Sequence, residues 1–150
     1  MYTNLYEQLV KIKDVYENIG MLGDQIFECL QQKKIENVQS LHVKQLQYIE
    51  QAKQLSLYFQ ETVENYCKEK GASSIRVRSL FSYFSEEEIS KIEELQKTVA
   101  FIEENIKTML LKNQYYLNVL LKITEGIVDS VSEFNIEKNQ NSQIFMNELL

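Results

Sequence analysis

The chain has 150 residues, 44% of them apolar, and a formal net charge of −6 from 22 acidic against 16 basic side chains. That length suits one domain, and the apolar share allows a real core. With no proline, four glycines and only Arg76 and Arg78 as arginines, the chain lacks the turn chemistry of many short strands and the clustered cations of a polyanion-binding surface, which argues against a sandwich or barrel and against nucleic acid.

The reading is all-α: an elongated antiparallel bundle of three long helices with a short helical connector and a loose C-terminal tail. No stretch reaches 18 uninterrupted apolar positions, and residues 1–10 carry Glu7 and no basic residue. Neither membrane insertion nor a signal peptide is therefore expected, and the compartment is cytoplasmic. Cys29 and Cys67 fall near opposite ends of the first helical hairpin, too far apart for a bond that needs Cα atoms within about 7 Å. Two unpaired thiols are expected.

The first helix spans about residues 3–32, where Leu5, Leu9, Ile12, Tyr16, Ile19, Ile26 and Leu30 recur at three- and four-residue steps. Gly20 and Gly23 interrupt it, marking either a bend or close helix approach or two tolerated surface glycines. Residues 31–37 are polar apart from Ile35. They form a turn if the bundle is compact, or the middle of one kinked helix if it is not. The second helix, about 36–70, carries Val38, Leu41, Tyr48, Ile49, Ala52, Leu55, Phe59, Val63 and Tyr66. Its end is signalled by Lys68, Lys70 and Gly71, two cations for the negative helix terminus and a residue that tolerates the left-handed cap.

A connector at residues 72–84 has Ile75, Val77, Leu80, Phe81 and Phe84 as apolar anchors. The third helix, about 85–135, opens on Ser85-Glu86-Glu87-Glu88, a capping box, with Phe84 and Ile89 placed as a hydrophobic staple. Glu87/Lys91, Glu93/Lys97 and Glu103/Lys107 lie one turn apart in the favourable order. Along this helix runs a heptad-like seam: Ile92, Leu95, Val99, Ile102, Ile106, Met109, Asn113, Tyr116, Leu120, Ile123, Ile127, Ser130 and Phe134. Domain boundaries follow: a helical bundle over 1–135 and a tail over 136–150 that contains Ile144, Phe145, Met146, Leu149 and Leu150.

The third helix outlasts the other two by some 17 residues, or roughly 25 Å at 1.5 Å per residue. The surplus stays apolar through Leu117, Leu120, Leu121, Ile123, Ile127, Val128, Val131 and Phe134. With Asn113, a polar residue able to fix register inside the seam, these form the candidate partner-binding set. An apolar patch of that extent marks an interaction surface unless the connector or the tail around Phe145 folds over it. Self-association into a coiled-coil scaffold or homo-oligomer is the alternative use of the same face.

Chemistry is not indicated. His42 is the single histidine, and Gln39 stands three residues before it, where a di-iron bundle would place glutamate. The carboxylates fall on polar helix faces, and no glycine-rich loop follows a strand. Neither catalysis nor a cofactor nor a metal is expected.

Asn113-Gln114-Tyr115-Tyr116-Leu117, followed by Leu120-Leu121 and Ile123, resembles the Asn-Gln-x-Leu-Leu run on the last long helix of the FlgN family of flagellar export chaperones. Residues 27–55, with the polar turn at 34–37 and Lys44 after it, resemble the segment that joins that family's first two helices. The resemblance covers residues 5–134. It implies a cytoplasmic, all-α, non-enzymatic chaperone that holds the carboxy-terminal regions of hook-filament junction proteins. Such a chaperone delivers them to the flagellar type III export apparatus, which gives this chain two expected partners.

Overall fold

The three periodic stretches fold as three long helices that run up, down and up. The structure, a computed structural model, describes residues 1–123. It contains α1 (Tyr2–Gln31), α2 (Ile35–Glu69), a short 3-10 helix (Val77–Tyr83) and α3 (Glu86–Ile123). The continuation of the third helix expected over 124–135 and the tail at 136–150 lie outside the described residues. At 1.5 Å per residue, the described part of α3 alone spans roughly 57 Å.

Residues 31–37 contain a true turn, made without glycine. Lys34 N–H donates to Cys29 O at 2.9 Å and Lys33 N–H to Leu30 O at 3.1 Å, the paired bonds of a Schellman motif. Lys33 takes the left-handed position, with φ 58°. The same motif closes α2: Ala72 N–H donates to Cys67 O at 2.9 Å and Gly71 N–H to Lys68 O at 3.2 Å, and here the left-handed residue is the glycine the sequence advertised, with φ 64°. α3 starts as its sequence indicates. Ser85 N–H donates to Glu88 Oε2 at 2.8 Å while Glu88 N–H donates to Ser85 Oγ at 3.2 Å. Of the expected ion pairs, Lys91–Glu87 and Lys107–Glu103 form, whereas Glu93 faces Arg78 of the connector at 3.9 Å.

α1 is the middle helix, lying along both of the others. Its Leu5, Leu9, Ile12, Tyr16 and Ile19 meet Ala52, Phe59, Val63 and Cys67 of α2 and Ile92, Leu95 and Val99 of α3 in one core. A second core closes the other end, with Ile26 and Leu30 of α1 against Val38 of α2 and Leu117 and Leu121 of α3. Both cysteines are free, Cys67 in the first core and Cys29 beside the second. The connector buries Val77 and Leu80 in the first core and leaves Ile75 exposed. It therefore covers the start of α3, not the far half of that helix.

Polar side chains cross this interior at several levels. Gln8 Nε2 donates to Thr62 Oγ1 at 3.2 Å and to Asn4 Oδ1 at 3.0 Å, and Asn4 Nδ2 donates to Tyr66 OH at 3.0 Å. Tyr16, Ser56 and Glu103 are also buried. Towards the second core, Gln45 Nε2 donates to Ile19 O at 3.1 Å and Asn113 Nδ2 to Gly23 O at 2.9 Å, on successive turns of α1. Gly23 lets the Met109 side chain of α3 lie directly against α1, because a Cβ there would displace the Met109 thioether. Gly20 has open space around its Cβ position. Of the two expected roles, close approach holds at Gly23 and tolerance at Gly20.

Candidate functional site

α3 buries the expected seam at Ile92, Leu95, Val99, Met109 and Asn113, with Ile102 and Ile106 half-buried against the first core, and departs from it at Tyr116 and Leu120. From Ile92 the seam moves through Gln96, Val99 and Glu103 to Met109, Asn113, Leu117 and Leu121, all buried. This is the 3.6-residue period of a straight helix, which drifts about 20° per heptad from a 3.5-residue repeat. By the eighth step the difference amounts to one residue. Tyr116 and Leu120, expected in the seam, are displaced to its margin, with Tyr116 38% exposed and Leu120 half-buried against the second core.

This drift divides the expected partner-binding residues. Asn113, Leu117 and Leu121 are interior: the two leucines pack on Ile26, Leu30 and Val38, and Asn113 bonds Gly23. The expectation that Leu117 and Leu121 project from the bundle is corrected, because α1 runs to Gln31 and its turn reaches the level of Leu121. Leu120 stays at the margin. Ile123 is the last described residue, and Ile127, Val128, Val131 and Phe134 lie outside the described residues.

What the sequence reading missed is a second apolar row on the outer side of the same turns. Leu111 is 50% exposed, Tyr115 68% and Val119 37%, each four residues from the next. Tyr116 adjoins them and meets Phe27 of α1 edge-on, with ring centroids 5.1 Å apart. Lys112 Nζ sits 3.8 Å from the centre of the Phe27 ring, a cation over an aromatic face. The result is an apolar and aromatic band along the last three described turns of α3, continued onto α1 by Phe27. Its signal was present in the doubled apolar pairs Leu110-Leu111, Tyr115-Tyr116 and Leu120-Leu121, which make two adjacent helix stripes apolar where one would fill a core.

Beneath the band, Ile26, Leu30, Val38, His42, Gln45, Asn113, Gln114 and Leu117 line a cavity of about 10 Å³, room for about one water. Asn113 Oδ1 has no hydrogen-bond partner. Among the described residues no three His, Cys, Asp or Glu side chains converge as metal ligands. No described helix is long and apolar enough to cross a membrane.

A rod with a polar-stitched interior and an apolar band on its outer face defines a helical binding protein. The chain belongs to the FlgN family, whose model, described as FlgN protein, matches residues 1–135. Members are cytoplasmic, non-enzymatic flagellar export chaperones for hook-associated proteins. No curated protein and no solved structure matches the chain.

Proposed function

We propose that this chaperone holds its hook-associated client on the band formed by Leu111, Tyr115, Tyr116, Val119 and Leu120, with the contact continuing along Ile123, Ile127, Val128, Val131 and Phe134. The clients are hook-filament junction proteins, whose carboxy-terminal helical regions add to α3 as an amphipathic helix with anchors one turn apart. The flagellar export apparatus receives the loaded complex. In this reading the bundle occupies residues 1–135 and residues 136–150 form a separate tail. Asn113, Leu117 and Leu121 support the site from beneath, by fixing α3 on α1, and do not touch the client.

The observation that carries this reading is the run of large apolar side chains left exposed on three successive turns of α3 while the residues between them fill a core. Each anchor is worth roughly 1.5–3 kcal/mol when fully buried. Replacing Leu111, Tyr115 and Val119 together by serine should weaken binding of a carboxy-terminal junction-protein fragment at least a hundredfold by calorimetry, with helicity retained. Unchanged affinity in a folded variant, both for this triplet and for Leu120, Ile123 and Ile127 replaced together, would place the client elsewhere.

A further inference from the structure

A binding face this apolar is exposed whenever the chaperone is empty. The described portion is modest in area. Partly exposed Leu111, Tyr115, Tyr116 and Val119 present roughly a few hundred Å², the size of the largest patch on an ordinary monomer. A stable pair of protein surfaces buries about 800 Å² on each side, so the described band is small for a second copy of the whole rod. It is the right size for one short amphipathic segment.

The chain carries such a segment. Phe145 and Leu149 stand four residues apart, as do Met146 and Leu150, with Asn147 and Glu148 between the pairs. As a helix this stretch would have one apolar side two rows wide, matching a band that is itself two rows wide. Residues 135–141, which precede it, are polar apart from Ile136.

The reach is sufficient. If the third helix continues to Phe134, it ends roughly 16 Å beyond Ile123 at 1.5 Å per residue. The ten residues 135–144 can span about 33 Å when extended. Phe145 can then return past Ile123 by about 17 Å, which is the level of Leu111.

We propose that residues 145–150 dock on the Leu111–Tyr115–Val119 row of their own chain, so that the empty chaperone covers its client surface and a client must displace the tail. This deepens the client site proposed above and rests on it for the competition, though not for the docking itself. A segment docked nine-tenths of the time lowers apparent client affinity about tenfold, because only the open fraction is competent to bind.

Two measurements on the full chain test it. In the first, a photo-crosslinking amino acid at position 149 is activated at low protein concentration and the product is mapped by mass spectrometry. Crosslinks within a monomer to the peptide carrying Tyr115 and Val119 are expected. Crosslinks only between two copies would overturn the proposal in favour of an exchanged dimer, and crosslinks elsewhere or none would overturn it outright. In the second, Phe145→Ser with Leu149→Ser should raise affinity for the junction-protein fragment about tenfold. If the monomer crosslink forms but affinity is unchanged, the tail docks as proposed and it is the client site that lies elsewhere.

Discussion

Lys33 shows how a single backbone position can hide from a sequence reading. Both hairpin ends close with the same pair of hydrogen bonds, yet one uses Gly71 and the other Lys33 at the left-handed position. Side-chain crowding makes that region cost an L-residue about 1–2 kcal/mol, and the turn forms because the second core, Leu30 against Val38, requires the chain to reverse there. Lys33→Gly should therefore stabilise the protein. The relief of strain is partly offset by roughly 0.4–1 kcal/mol of extra freedom in the unfolded chain, leaving a gain of about 0.5–1 kcal/mol. Thermal unfolding should show a midpoint higher by roughly 2 °C; a lower midpoint would mean the lysine side chain makes contacts worth more than the strain.

At the scale of the element, α3 separates what patterning can decide from what it cannot. The start of the helix was fully legible, since Ser85 and Glu88 bond each other's backbone as the capping box requires. Which stripe turns inward beyond Asn113 was not. Apolar residues occupy both 116 and 117 and both 120 and 121, so the sequence allows either stripe inward, and the choice falls to the helix's natural period and to the close approach at Gly23. The outcome can be checked by truncation. Leu117→Ala should cost about 2–5 kcal/mol, as for a buried leucine. Tyr116→Ala should cost only about 1 kcal/mol, chiefly the edge-on contact with Phe27. Equal losses in urea unfolding would return Tyr116 to the buried seam.

Taken as a whole, the bundle was legible in outline: three helices, two reversals, free thiols and an apolar third helix. Its polar interior was legible only at Asn113, which its spacing placed in the seam, because the buried glutamines and glutamate carry no periodic mark that distinguishes them from surface positions. Glu103 is the sharpest case. Burial raises its carboxyl pKa above the usual range, against the opposing charge and hydrogen bond of Lys107, and its Oε2 has no hydrogen-bond partner. Burial also pushes the neighbouring Tyr16 phenol upward, with the Glu103 charge adding to the effect. An acid whose folded pKa is raised binds its proton more tightly in the folded state. Its contribution to stability is present in full below the unfolded value and is lost as pH rises through the folded value. Glu103→Gln should consequently be more stable than the parent at pH 7, with the advantage shrinking as pH falls towards the ordinary carboxylate range. Urea midpoints that differ by the same amount at pH 7 and pH 4 would contradict this account.

The paired amide bonds to α1 also fix how the rod answers a pull. Because α1 and α3 are parallel, a load drawing α3 outward along its axis is borne in shear, by every contact between the two helices at once. A slip of one turn forward would carry Asn113 from Gly23 to Phe27, where a side chain stands in place of the glycine that permits close approach. A slip of one turn back would bring it to Ile19 O, where Gln45 already donates. Both neighbouring registers are thereby disfavoured, so α3 should resist sliding along α1 more than its apolar contacts alone would allow.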